Sequence, residues 1–168
     1  MGTFGVEGKG GTFTGINDRI ACLKATCPEV GTAYSIKVWL ETNQLRLVRC
    51  ALYAYVGDGN AGALLGITEE RDVNVAPAAV EEFVFNNPKP ALANTTYFLA
   101  AYGEDATCGT FRDAGGTGHC YLDRAYDSTY PDPLAGESSS TFTRSIYCEY
   151  TTSQGVPAKF GHYAKMRT

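Results

Sequence analysis

Two cysteines bracket the segment of the chain that is richest in residues capable of chemistry. The segment CGTFRDAGGTGHC, residues 108–120, holds an arginine, an aspartate, four glycines and His119, one of only two histidines in the chain. Cysteine and histidine are zinc ligands, a cysteine assisted by a histidine can act as a nucleophile, and two cysteines can form a disulfide. The segment is therefore a candidate metal site, catalytic loop or cross-linked hairpin.

The spacing of these ligands argues against zinc. Structural zinc sites usually contain close cysteine pairs, whereas His119 and Cys120 are adjacent and would point to opposite faces of a strand. The nearest thing to a close pair, CLKATC at residues 22–27, has no histidine nearby. We expect no bound metal. The remaining alternative is calcium bound by aspartates in turns: Asp58, Asp105 and Asp132.

Catalysis and cofactor binding have equally weak signals. The only histidines are His119 and His162, no G-x-S-x-G motif is present, and the paired glutamates are adjacent in sequence, so they would face opposite sides of a strand. GDGNAG, at residues 57–62, matches a dinucleotide-binding motif, but the preceding strand alternates and no helix pattern follows it. We predict a protein that is not an enzyme and that has no cofactor.

Disulfides are the interpretation that the cysteines favour. Six is an even number and more than a reduced cytosolic protein of 168 residues needs, which indicates an oxidising location such as a virion, the cell surface or the extracellular space. The interior of a thermophile would also fit. Many pairings are possible; we favour Cys108 with Cys120 as a clip on a hairpin, Cys50 with Cys148, and Cys22 with Cys27.

Alternation of apolar and polar residues is the pattern that recurs along the chain. In AYSIKVWL, residues 33–40, Tyr34 and Ile36 fall on the same face as two further apolar residues, and LVRCALYAYV at 47–56 alternates in the same way. Further candidate strands are EEFVF at 81–85, TTYFLAAY at 95–102, CYLDRAY at 120–126 and SIYCEY at 145–150.

Glycines and prolines lie almost entirely between these segments, and the best helical candidate, LLGITEERD at 64–72, is short and contains a glycine. Short strands separated by regular turns predict an all-β protein, an antiparallel sandwich or barrel in a single domain.

Composition excludes several classes of partner. The net charge is −4 and no long run of either charge occurs, so we expect no nucleic-acid binding. No apolar stretch is long enough for a membrane span, and the opening residues show no signal-peptide pattern. Val6 stands where a myristoylation signal requires serine or threonine.

The order of segments resembles a known domain. TFGV, GTAYSIKVWLE, VRCALYAYVGDG, LLGITEERDV, EEFVFNNPKPALANTTYFLAAYG, YPDPLAG and SIYCEYTT follow one another as they do in a jelly-roll β-sandwich domain. That domain recurs as an accessory module in bacterial and archaeal surface proteins and in phage virion proteins. The resemblance covers residues 3–152 and implies a jelly-roll fold and a non-catalytic binding or structural module, similar in shape to carbohydrate-binding modules.

We therefore expect a structural protein that assembles into or decorates a virus particle or an extracellular filament, with copies of itself or other particle subunits as partners. The expected organisation is an N-terminal arm at residues 1–15, the sandwich at 16–152 and a C-terminal tail at 153–168. The expected assembly contacts lie in the two arms: Phe4, Val6, Phe13, Phe160, His162 and Tyr163.

The alternative function is that of a carbohydrate-binding module for cell-surface or extracellular glycans. Aromatic side chains on a sheet face can stack on sugar rings, and the candidates are Trp39, Tyr53 and Tyr55. The sequence NTT also makes Asn94 a candidate site of glycosylation on a cellular surface protein.

Overall fold

The computed structural model describes residues 1–16, 18–57, 60–87, 89–104, 107–135 and 138–152. Within these residues the chain forms twelve β-strands and no helix. The strands are β1 (Gly2–Gly5), β2 (Thr12–Gly15), β3 (Arg19–Thr26), β4 (Gly31–Glu41), β5 (Arg46–Gly57), β6 (Asn60–Val73), β7 (Ala79–Val84), β8 (Ala91–Leu92), β9 (Thr96–Gly103), β10 (Gly109–Asp123), β11 (Ser138–Arg144) and β12 (Ile146–Thr152).

The strands pack as two antiparallel layers. The first layer runs β1, β12, β4 and β7, with β8 also paired to β4, and the second runs β11, β10, β3, β9, β5 and β6. Strand β10 belongs to both, because Gly109 and Thr110 pair with the end of β4 while its later residues pair with β3. The predicted antiparallel β-sandwich is confirmed, and the jelly-roll connectivity stays a prediction.

The main core lies between the layers, where the alternating strands point their apolar sides at one another. Ile36 and Val38 of β4 and Val48 and Leu52 of β5 are fully buried in one cluster. Burying a side chain of this size stabilises the fold by about 1.5–3 kcal/mol relative to exposure. This core orients the remaining side chains of β4 and β5 toward the two outer faces of the sandwich.

A second apolar cluster lies on the outer face of the second layer. It contains Tyr53 of β5 and Phe98 and Tyr102 of β9, all with no exposed surface. Residues 124–135, called the tyrosine loop here, cover the cluster with Tyr130 and other side chains. The two apolar clusters, one on each side of the second layer, explain why both faces of β9 are apolar in sequence.

Buried hydroxyl groups fix the tyrosine loop in place. The Tyr53 hydroxyl donates to the Pro131 carbonyl at 2.9 Å, and the Tyr130 hydroxyl donates to the Arg49 carbonyl at 2.8 Å. The Arg49 guanidinium in turn donates to the Ser128 carbonyl at 2.7 Å. These bonds satisfy polar atoms that would otherwise be costly to bury.

The N-terminal residues are part of the sandwich, which differs from the expected arm at 1–15. Strand β1 pairs with β12, and β2 pairs with β10. Phe4 is 5 % exposed and packs against Tyr97 and Tyr150, and Val6 lies against the same core. Phe4 is therefore unavailable for contact with a neighbouring subunit, whereas Phe13 is 44 % exposed.

Residues 108–120 do not form a hairpin. Residues 109–123 make one long strand, β10, whose pairing with β11 is interrupted by an irregularity between Ala114 and His119. Similarly, the weak helical pattern at 64–72 lies within strand β6. A further irregularity opposite Glu149 shifts the alternation of β4, so that Tyr34 is half-exposed while Ser35 is buried.

Candidate functional site

All six cysteines are buried, and Cys50 and Cys148 share the core between the layers, whereas the other two favoured pairs are divided. Cys108 lies in the core between the layers and Cys120 in the cluster on the outer face of the second layer. Cys22 and Cys27 are divided between the same two clusters. A sheet separates the members of each pair, so neither the hairpin clip nor a Cys22–Cys27 disulfide fits this fold.

The three aromatic residues expected to stack on a glycan do not share a surface. Tyr53 is fully buried under the tyrosine loop. Tyr55, on the same face, packs edge-on against Phe98 and has the Lys24 ammonium 4.4 Å from its ring centroid. Trp39 lies on the opposite side of the sandwich, on the outer face of the first layer, because its neighbours in β4 point into the core. Only Trp39 keeps an open surrounding sheet face.

A mixed aromatic and charged surface surrounds Trp39; we call it the Trp39 face. Tyr147 of β12 and Glu82 of β7 are the cross-strand partners of Lys37, which lies two residues before Trp39 in β4. Lys37 Nζ forms an ion pair with Glu149 Oε1 at 2.7 Å. The members of this face come from three strands. Their grouping therefore depends on the register of the sheet and could not be predicted from the sequence.

The charges of the Trp39 face are mutually coupled. The hydrogen bond from Lys37 to Glu149 raises the pKa of Lys37 above its usual value. Burial raises the pKa of the Tyr147 phenol. The Trp39 indole N–H donates at 2.8 Å to the carbonyl of Glu7, which lies in the connection between β1 and β2, and this bond holds the edge of the ring there. The face thus consists of half-buried groups that include both hydrogen-bond donors and acceptors.

One end of the sandwich carries a cavity with an exposed aromatic wall; we call it the cavity end. The cavity has a volume of about 300 Å³ and is lined by Phe13, Glu41, Asn43 and Thr107. Phe13 is 44 % exposed and is held edge-on against Phe111. Leu45, in the turn that follows Asn43, is 58 % exposed. Large exposed apolar groups beside a concave surface are typical of binding sites.

The opposite end carries protruding apolar groups; we call it the apolar end. Met1 and Val30 flank the end of β12, since Gly2 pairs with Tyr150 and Gly31 with Thr152. Val56 lies at the same end of the second layer, near the tip of the β5–β6 hairpin. The exposed fractions are 83 % for Met1, 58 % for Val30 and 66 % for Val56. Leu45 precedes the start of β5 and Val56 lies near its end, so the apolar end and Leu45 are at opposite ends of the sandwich.

No group of metal ligands occurs among the residues that the structure describes. Asp132 accepts a hydrogen bond from the Leu64 N–H at 2.8 Å and so supports the β6 backbone. Asp58 and Asp105 lie outside the described residues, as does the side chain of His119. In the described part of the chain, no helix has the length and apolarity that crossing a bilayer requires.

Of the remaining predicted sites, the glycosylation site lies within the described residues and the C-terminal contact residues do not. Asn94 is exposed in the turn between β8 and β9, so burial does not prevent attachment of a glycan there. Phe160, His162 and Tyr163 lie in 153–168, outside the described residues.

Similarity to known proteins adds no further constraint. No family model, curated protein or solved structure shows significant similarity to this chain. The class established by the structure is an antiparallel β-sandwich, which carries the Trp39 face, the cavity end and the apolar end. The functional argument therefore depends on these surfaces.

Proposed function

We propose that the protein is a non-enzymatic structural subunit that assembles with copies of itself, in a virus particle or an extracellular filament. The observation that carries this proposal is the exposure of large apolar side chains at both ends of the sandwich. Exposed apolar groups on a folded domain favour association, because contact removes their surface from water.

The two ends differ in shape, which favours head-to-tail contact. The cavity end is concave and walled by Phe13, whereas Val56 protrudes from the apolar end. Strand β5 spans twelve residues, so the ends are about 40 Å apart at 3.3 Å per residue. Contact between two different surfaces on opposite sides of a subunit leaves one surface free on each added copy, so it propagates into rings or open filaments.

Charge supports a second copy as the occupant of the cavity end. Residues 153–168 contain three basic side chains and no acidic one, so the remaining residues carry a net charge of −7 within a chain of −4. Glu41 lines the cavity. The basic side chains of residues 153–168 on one copy are complementary in charge to Glu41 on the next.

The test combines light scattering and electron microscopy with charge substitutions at the ends. We expect the unmodified protein to form regular assemblies and both Leu45→Glu and Val56→Glu to remain monomeric. Leu65→Glu is the matched control, since Leu65 is 40 % exposed on strand β6, away from either end. A monomeric unmodified protein at high concentration, or equal loss of assembly in the control, would refute the proposal.

A second candidate function is glycan binding, and the Trp39 face is the observation that favours it. Trp39 and Tyr147 offer aromatic surface for stacking, and Lys37 with Glu149 offers charged hydrogen-bond partners for hydroxyl groups. The expected result is quenching or a shift of Trp39 fluorescence by a polysaccharide, lost in Tyr147→Ala. Since Trp39 is the only tryptophan, unchanged emission across a glycan panel would rule this function out.

A further inference from the structure

The cysteines occupy three places in the fold, with two of them in each place. This grouping could not be read from their spacing in sequence, because each group combines residues that are distant along the chain. It also does not depend on whether the protein assembles. The three places are the outer cluster of the second layer, the end of β9 in the core, and the edge of the core beside Tyr150.

Cys22 and Cys120 face each other across two antiparallel strands. The register of β3 with β10 pairs Ala21 with Tyr121 and Ile20 with Leu122, so the next pair along the same ladder is Cys22 with Cys120. Both side chains have no exposed surface and belong to the same cluster. Directly opposed residues have Cα atoms about 4.5–5.5 Å apart, which is within the range that a disulfide spans.

Cys50 and Cys108 meet above a glycine in the core. Cys50 pairs with Ala101, and its neighbour on the same side of β5, Val48, pairs with Gly103. A methyl group on Gly103 would lie only 3.0 Å from Cys108 Sγ, so this sulfur fills the space that a side chain on β9 would take. Burial raises the pKa of the Cys50 thiol, and the adjacent Cys108 raises it further.

Cys27 and Cys148 lie at the edge of the core beside Tyr150. Cys27 follows the end of β3 in the second layer, and Cys148 belongs to β12 in the first. Burial raises the pKa of the Cys148 thiol, with Cys27 as the next contributor. Burial likewise raises the pKa of the Tyr150 phenol, and both cysteines contribute to that shift. A link here would join the two layers directly.

We propose that the protein matures by forming three disulfides, Cys22–Cys120, Cys50–Cys108 and Cys27–Cys148. Each forms by exchange with a disulfide donor such as glutathione disulfide. The donor's S–S bond breaks, a protein S–S bond forms, and the two thiol protons end on the donor's two sulfurs, which take up the two electrons. Because the cysteines are buried, exchange must precede closure of the sandwich, when thiolates are accessible.

Peptide mapping tests the connectivity with little ambiguity. Cleavage after lysine and arginine leaves the six cysteines on six different peptides, including IACLK for Cys22 and DAGGTGHCYLDR for Cys120. The full chain is reduced, refolded with a glutathione redox pair, alkylated and digested without reductant. We expect three cross-linked peptide pairs that match the proposed connectivity. Any other pairing, including Cys108–Cys120, or six alkylated cysteines, would overturn the proposal.

Single substitutions give a second, independent readout. In Cys22→Ala we expect Cys120 to become the one cysteine alkylated under denaturing conditions, and in Cys50→Ala we expect Cys108. Alkylation of Cys27 in the first variant would contradict the proposed pairing. If a variant does not fold, the map of the unmodified chain decides the question. Neither readout requires assembly, so failure of the proposed function leaves this test unaffected.

Discussion

Gly103 shows how one missing side chain organises the core. It ends strand β9, and a methyl group at its Cα would approach Cys108 Sγ at 3.0 Å and Ile16 Cδ1 at 3.1 Å. Both are closer than ordinary van der Waals contact, and both neighbours are completely buried. The glycine is therefore required by packing, while its backbone is ordinary extended strand.

Gly103→Ala should destabilise the protein by about 1–3 kcal/mol, since an added methyl in a filled core displaces its neighbours. Urea unfolding of the oxidised protein measures this change. Gly8→Ala is the control, because open space surrounds a methyl group at Gly8. Equal stability of the two variants would contradict the tight packing around Gly103.

The hydroxyl of Tyr130 is one of several groups that connect the tyrosine loop to the sheet. The Tyr130 side chain is 9 % exposed, and its O–H donates to the Arg49 carbonyl at 2.8 Å. Tyr130→Phe leaves this buried acceptor without its donor, and we expect a loss of about 1–3 kcal/mol in unfolding free energy. Tyr34→Phe, in a half-exposed ring under Lys89, should change stability much less. Similar losses in thermal or urea unfolding would refute this assignment.

At the level of elements, the tyrosine loop contains no strand and is attached to the sheet by several hydrogen bonds. The Tyr126 hydroxyl donates to Glu70 Oε2 at 2.6 Å, and Arg124 pairs with Asp127 at 2.5 Å. Burial of Glu70 would raise its pKa, but hydrogen bonds from Ser128 and Tyr126 outweigh it and the net shift is downward. The hydrogen bond from Arg124 lowers the pKa of Asp127.

These shifts predict acid sensitivity of the tyrosine loop. A carboxyl whose pKa is lower in the folded state stabilises that state above its unfolded pKa, and the contribution is lost as pH falls through the folded pKa. We expect the urea midpoint to fall between about pH 5 and pH 3. The fall should be smaller in the Glu70→Gln, Asp127→Asn double variant. Parallel pH profiles of the two proteins would show that other carboxyls dominate.

The strands of the sandwich could be predicted from alternation, but not which face each side chain reaches. The patterns at 33–40, 47–56 and 145–150 lie within β4, β5 and β12. Alternation placed Tyr53 opposite the core, which is right, yet the tyrosine loop buries that face as well. The alternation of residues within β5 cannot predict that the tyrosine loop, which is distant in sequence, buries this face.

The candidate surfaces were harder still to predict, because register determines them. Trp39 was identified from its residue type, but its grouping with Tyr147 depends on the pairing of β4 with β12. The cysteine pairs are a second case: Cys120 meets Cys22 only because a long β10 crosses from one layer to the other. The glycines at 115 and 116 suggested a turn, whereas they form an irregularity within that strand.

At the scale of the whole molecule, the proposed assembly should depend on salt, because the sandwich is acidic and the segment at 153–168 is basic. Screening shortens the reach of charges to about 3 Å at 1 M salt, from about 10 Å at 0.1 M. We expect assemblies to dissociate as sodium chloride rises, as measured by light scattering. A double variant, Lys159→Glu with Lys165→Glu, should assemble poorly even at low salt. Assembly that strengthens with salt would indicate that apolar contact alone drives it.

The pairing of β1 with β12 also determines how the molecule responds to mechanical load. Met1 and Thr152 lie at the same end of neighbouring antiparallel strands. Tension that separates these two points would open the β1–β12 hydrogen bonds one after another, as a zipper opens, and not shear them all at once. Force applied along the strands, from Leu45 at one end to Val56 at the other, would instead load β5 and its neighbours lengthwise. The sandwich is therefore expected to be weak when Met1 and Thr152 are pulled apart and strong when it is stretched along its strands.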